Sequence, residues 1–310
     1  MGKLAFVFAG QGAQYVGMGK EIANQFKTSD SIFDEASDAL GFDVKKMIFS
    51  GTDEQLMITE NTQPTILTTS IACLQPLIES GLTPDAVAGL SLGEYSAHVL
   101  SGTMSFYAAV KLVRKRGKYM QEAVPIGIGG MAAIIGQDLC SVTDSCNEAS
   151  KIGVVELANL NCPGQIVIAG ELKALEKAME LCREKGAKRS ILLPVSAPFH
   201  CSMLKPAGEL LKKELEDVDL GELNIPVVTN VTAEYINDEN LVKDLLVRQV
   251  SSSVLWEKSI RNMISDGIDT FIEIGPGKVL SGFIKKIDNT AITLNVSDIE
   301  SLNNTLNHFV

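Results

Sequence analysis

Histidine is scarce in this chain, with three in 310 residues, and none of the six cysteines stands in a C-x-x-C pair. A zinc site needs Cys or His ligands at short, repeated spacings, so these shortages speak against one. Positive charge is short too: 27 Lys and Arg face 38 Asp and Glu, a formal net charge of -11. That balance disfavours the phosphate backbone of nucleic acid as a main partner. No apolar run approaches the roughly 20 residues of a membrane span. The opening MGKLAFVFAG has too short an apolar run for a secretory leader and lacks its small-residue cleavage pattern. A dinucleotide fingerprint is missing as well, because Tyr15 stands where GQGAQY needs its third glycine. GPGKVL is not a phosphate loop, with Ile272 and Val279 in place of the required Gly and Ser/Thr. The expectation is a cytoplasmic protein without nucleic-acid or membrane partners, its cysteines mostly buried as small hydrophobes.

What is present is alternation. LAFVFA (4–9), AVAGL (86–90), PVVTNV (226–231), TFIEI (270–274) and AITLNV (291–296) read as strands. Amphipathic stretches between them read as helices over 17–27, 31–40, 64–80, 93–100, 105–123, 203–216, 239–249, 254–265, 278–287 and 299–308. Such an order predicts a parallel sheet covered by helices, an α/β fold. The middle of the chain has another grammar: MAAIIG, a helix over 137–149, VVELAN, QIVIAG, a helix over 171–186, then RSILLP. That is βαββαβ, the ferredoxin-like unit. The expected division is a large α/β subdomain from 1–126 and 195–310, with a ferredoxin-like small subdomain at 127–194 inserted in it and a cleft between the two.

GLSLGEY (89–95) places Ser91 between Gly89 and Gly93, after a strand and before a helix. A nucleophile elbow needs that context. Glycines two before and two after the serine remove side chains that would clash in the turn. The helix beyond offers free N–H groups and a positive dipole end. A serine nucleophile normally needs a base, usually histidine. His308 lies near the C-terminus in LNHFV, where fraying is expected. His98 is seven residues along the elbow's own helix, about 10 Å up its axis. His200, in the loop PVSAPFHCSM, is the favoured base. The Gly10-Gln11-Gly12 loop could bring backbone N–H groups to a developing oxyanion or simply form a tight turn. In KLVRKRGKYMQEA one arginine could clamp a carboxylate while the other cations face solvent; its periodicity does not say which.

Read together, GQGAQ (10–14), NTQP (61–64), GLSLGEYSA (89–97), RGKYMQEAVP (116–125), NLNCPGQIVIAG (159–170), APFHCSML (197–204) and EIGPGKVLSG (273–282) closely resemble the malonyl-CoA:acyl carrier protein transacylases of fatty acid synthesis. The resemblance covers essentially the whole chain. It implies an α/β-hydrolase-like large subdomain, malonyl-CoA as substrate, acyl carrier protein as partner and no cofactor. It also implies Ser91 as nucleophile, His200 as its base, the backbone N–H groups of Gln11 and Leu92 as the oxyanion hole, and a carbonyl of Gln249 to orient the histidine. Arg116 would hold the malonyl carboxylate with Gln63 nearby, and Asn159 and Asn161 would face the cleft from the small subdomain. Leu90 departs from the histidine that many members carry before the nucleophile, and Phe199 resembles the malonyl-selective form. Lys111, Lys115, Lys118, Lys285 and Lys286 are candidates for docking an acidic carrier. The rival readings are a serine esterase, an acyltransferase serving a polyketide synthase, and a non-catalytic binding module.

Overall fold

The computed structural model describes residues 2–195 and 197–309. Its larger sheet holds six strands: β1 (Lys3–Phe8), β2 (Ala86–Gly89), β7 (Val227–Val228), β8 (Tyr235–Ile236), β9 (Ile268–Ile274) and β10 (Ile292–Val296). Their order is β10-β9-β1-β2-β7-β8. All neighbours are parallel except the β7–β8 edge pair. The continuous apolar run of β1 follows from burial on both faces of a parallel sheet. Leu4, Phe6 and Phe8 enter the core on one side, where the helices Thr59–Glu79 and Phe106–Glu122 pack. Ala5 and Val7 enter the core on the other side with Trp256, Ile260 and Phe283. Side chains that alternate along a strand thus serve two layers of helices.

The second sheet contains β3 (Gly129–Ile135), β4 (Val155–Cys162), β5 (Gln165–Glu171) and β6 (Arg189–Leu192) in the order β4-β5-β3-β6. Every neighbouring pair is antiparallel. With the helices Leu139–Ala149 and Leu172–Glu184, this is the expected βαββαβ arrangement. One face carries Ala132, Ile134, Ile166 and Ile168 into a core with Val142, Leu175 and Cys182. The alternate residues Met131, Ala133, Gln165 and Val167 face a cavity shared with the larger sheet. The sheets meet where β4 hydrogen-bonds the 254 segment: Leu160 N–H donates to Val254 O (2.9 Å), and Val254 N–H to Ala158 O (2.8 Å).

The local differences from expectation have physical reasons. The helix expected over 17–27 begins only at Lys20, because Gly17 and Gly19 take left-handed φ values of 92° and 74°. Phe26, extended at φ -116°, then separates it from the helix Lys27–Leu40. Short helices at Val44–Ser50 and Asp53–Met57 add to the helices expected from periodicity. Thr52 and Gln55 form a capping box, a signal that was there in the sequence. Only two residues of 226–231 are strand; the rest turns back and brings Asn230 to the elbow. All six cysteines are free, and all but Cys140 are buried. Among the described residues no helix is long and apolar enough to cross a membrane, and no His, Cys, Asp and Glu group could hold a metal ion.

Candidate active site

Ser91 has φ 53°, the left-handed conformation that costs a non-glycine residue on the order of 1–3 kcal/mol. Two features hold it there. A Cβ on Gly89 would lie 1.9 Å from the Gly93 carbonyl carbon, and one on Gly93 would lie 2.1 Å from Phe8 O. Only glycine lets the helix Gly93–Ser101 seat its first turn against the strand ends. Asn230 then staples the turn: its Oδ1 accepts from Ser91 N–H (2.6 Å) and its Nδ2 donates to Gly89 O (2.7 Å).

His200, also at a positive φ of 61°, approaches from the loop after β6. Its Nδ1 lies 2.9 Å from Gln249 O, and its Nε2 lies 2.7 Å from Ser91 Oγ. A carbonyl oxygen can only accept, so Nδ1 carries the proton and Nε2 presents a lone pair to the Ser91 hydroxyl. Burial, then the charge of Arg116, pushes the imidazole from about 6.5 down to about 4. It is therefore neutral at physiological pH.

Arg116 is 1 % exposed, on a stripe of its helix with Ala109, Val113 and Met120. Its Nη2 donates to Ser91 Oγ (3.1 Å) and to Gln249 Oε1 (3.0 Å), and its Nη1 to Gln63 Oε1 (2.8 Å). These acceptors are all neutral. Its buried Nε has no hydrogen-bond partner among the described residues. Burial lowers the pKa of the guanidinium, which remains charged. A buried cation bonded only to neutral groups, with a donor to spare, suits an anionic group entering the cavity.

Gln249 contributes its side chain as well as its carbonyl. Its Nε2 donates to Ser91 O (3.0 Å) and to Glu94 Oε2 (2.7 Å). That same Glu94 oxygen accepts from Asn230 N–H (2.9 Å). Full burial raises the Glu94 carboxyl to about 7. Neither Glu94 nor Asn230 figured among the sequence candidates. Glu94 lay within the elbow motif itself, whereas Asn230 carried no local signal.

A cavity of about 1020 Å³ opens on these groups. Gln11, Ser91, Arg116, Phe199 and His200 line one wall; Asn159 and Asn161 of β4 line the opposite one. Asn161 Oδ1 is buried without a hydrogen-bond partner among the described residues. A Cβ on Gly10 would be 2.5 Å from Leu90 O, so the Gly10–Gly12 loop rests directly on the elbow. Leu92 is buried at the head of the elbow helix. The backbone N–H groups of Gln11 and Leu92 have no partner among the described residues.

The other histidines stand apart from this chemistry. His98 is buried, with Nδ1 3.0 Å from Thr103 Oγ1, and His308 is exposed on the last helix. The candidate lysines divide. Lys111 and Lys118 lie across their helix from Arg116 and Lys115 on its flank, all three exposed. Of these, Lys115 pairs with Glu214 and Lys111 lies over the Tyr107 ring. Lys285 donates to Asn289 O (3.4 Å), whereas Lys286 reaches Gln165 Oε1 (3.3 Å), a residue of the cavity wall.

The family model described as "Acyl transferase domain" matches residues 5–301. Malonyl CoA-acyl carrier protein transacylase of Bacillus subtilis is 50% identical over 305 residues, covering 97% of this chain and 96% of the relative. The protein of that name from Escherichia coli K12 is 45% identical, covering 94% of each. The crystal structure of the transacylase from Clostridium perfringens superposes with a TM-score of 0.96 at 51% identity, covering 99% of this chain and 97% of that one. A type II PKS acyl-carrier protein in complex with its malonyl-transacylase matches with a TM-score of 0.96 at 41% identity, covering 99% of each chain. The chain belongs to the acyl transferase domain family.

Proposed function

We propose that this acyl transferase moves a malonyl group from malonyl-CoA to the phosphopantetheine thiol of acyl carrier protein, supplying fatty acid synthesis in the cytoplasm. The observation that carries the reading is the double contact at Ser91 Oγ, held at once by a neutral histidine nitrogen and a buried guanidinium. The near-full-length likeness to named malonyl transacylases supports the substrate and the carrier. The span of the second sheet, Gly129 to Leu192, supports 127–194 as the inserted subdomain.

The mechanism is ping-pong. Ser91 Oγ attacks the thioester carbonyl while His200 Nε2 takes its proton. The oxyanion is received by the Gln11 and Leu92 N–H groups, a type of contact whose loss costs about 10²–10³ in turnover. The C–S bond breaks, and CoA leaves as a thiol with the proton His200 returns. The carrier's thiol then gives its proton to His200 and attacks the malonyl ester, restoring Ser91. Throughout, Arg116 holds the malonyl carboxylate, with Gln63 steadying the guanidinium. Asn159 and Asn161 offer amides to the rest of the substrate. Each step is a proton or acyl transfer within reach of these groups, so the reading calls for no resident cofactor. A serine esterase would share Ser91 and His200 but would have no use for a cation buried beside them.

Intact mass after mixing with malonyl-CoA tests the reading. The expected result is a single malonyl adduct that maps to the peptide of Ser91. Ser91→Ala should lose it along with about 10⁶ in turnover. An adduct of wild-type yield in that variant removes the nucleophile assignment.

A further inference from the structure

Glu94 is fully buried, and its carboxylate hydrogen-bonds neither the Ser91 nor the His200 side chain. Its Oε2 accepts two hydrogen bonds, from Asn230 N–H (2.9 Å) and from Gln249 Nε2 (2.7 Å). Its Oε1 has no hydrogen-bond partner among the described residues and lies 4.0 Å from His98 Nε2. A carboxylate buried in this way is costly unless its bonds matter to what surrounds it.

We propose that Glu94 is a positioning residue for acyl selection: through the Gln249 side chain it fixes the direction of the Arg116 guanidinium over Ser91. The inference rests on the reading of Arg116 as the carboxylate clamp.

The argument lies in the two ends of one amide. A glutamine side chain can sit either way round, and its neighbours choose the orientation. Arg116 only donates, so it requires Gln249 Oε1, which it meets at 3.0 Å. The opposite end must then be Nε2, which needs acceptors. Glu94 Oε2 and Ser91 O supply them at 2.7 and 3.0 Å. The Glu94 bond is the shorter of the two and is charge-assisted when the acid is ionised. Without an acceptor at position 94, the amide loses one of the two acceptors that hold its Nε2 end. A reversed amide would set N–H against the N–H of Arg116. Arg116 would then keep Gln63 and Ser91 Oγ but lose its third anchor. Its fork would wander from the direction a carboxylate needs, and small misplacements of such a clamp cost up to about 10² in rate. An acetyl group makes no use of the fork, so the loss falls on malonyl.

The experiment measures specificity constants for malonyl- and acetyl-CoA in Glu94→Met, Glu94→Gln and Gln249→Met, alone and combined with Arg116→Ala. Glu94→Met and Gln249→Met are each expected to lower the malonyl-to-acetyl ratio about tenfold, and to lower it no further once Arg116 is alanine. Glu94→Gln keeps an acceptor oxygen in place and is expected to hold the ratio within about twofold of wild type. Should Glu94→Met fail to fold, Gln249→Met reads the same relay. A wild-type ratio in either folded Met variant overturns the proposal. So does a fall of equal size in the Arg116→Ala background, or a ratio for Glu94→Gln as low as for Glu94→Met. An unchanged ratio in Arg116→Ala alone would instead overturn the clamp reading itself, so the two failures are distinguishable.

Discussion

The two walls of the cavity are built to different standards. On the larger sheet's side, Ser91, His200, Arg116, Gln249, Glu94 and Asn230 form one hydrogen-bonded network, each group fixed by at least one of the others. On the smaller sheet's side, Met131 and Val167 present apolar surface, and Asn161 Oδ1 has no hydrogen-bond partner among the described residues. Chemistry needs directions held tightly before the substrate arrives. Substrate contact needs area, and a few amides that a ligand can complete. The strand-to-helix crossing of a parallel sheet provides the first, because converging chain ends bring distant residues to one point. The open face of an antiparallel sheet provides the second.

The sharpest way to break this contrast is at Arg116. Arg116→Ala should lower malonyl transfer by roughly 10²–10³, about 3–4 kcal/mol. It should also raise acetyl-CoA in relative preference, since a buried guanidinium with no anionic partner penalises the neutral substrate. Both specificity constants falling by one factor would make the arginine structural.

The next effect is on pH. An ordinary histidine loses its basicity as pH falls through about 6.5, but burial and Arg116 bring His200 to about 4. The depressed value means that the neutral, proton-accepting form persists as pH falls. At pH 5 it remains ~90 % populated, where an unshifted imidazole would be ~3 % neutral, a ~30-fold difference. Stopped-flow acylation should therefore show its acid limb near pH 4. A limb centred near 6.5 would mean that the wall around His200 is wetter than its burial indicates. The same shift contributes stability that is present above about pH 6.5 and lost as pH falls towards 4.

The smallest effect belongs to the opposite wall. Asn161→Ala should cost about 1 kcal/mol, seen as a severalfold rise in KM with kcat nearly kept. A fall in kcat as large as that for Arg116→Ala would erase the distinction between the walls.

Much of this molecule was legible in its order of residues. The parallel sheet and the βαββαβ unit followed from runs and periods, which are properties of neighbours along the chain. The elbow motif did too, although only Gly89 answers to a clash within five residues, with Gly93, whereas Gly93 makes room for the distant Phe8 carbonyl. His200 emerged because only three histidines compete. The arginine was named by the family resemblance and not by its periodicity. Arg116 stands three residues after Val113 and four before Met120, so the helical stripe marked it as buried, while Lys111, Lys115 and Lys118 fall outside that stripe. That signal was present, but the crowd of cations around it hid it.

The sequence by itself thus determined the layers, the elbow and the candidate pair Ser91 and His200, because local sterics and burial periods are written residue by residue. Only the tertiary structure decided how the pair is aimed. Ser91 meets His200 across 109 residues and Asn230 across 139, and Gln249 reaches the Ser91 carbonyl across 158. Hydrogen bonds over such separations depend on the direction in which each side chain leaves its own element, and no pattern along the chain encodes that direction. Glu94 shows both halves at once: its place in the motif was visible, but its partners were set by the fold.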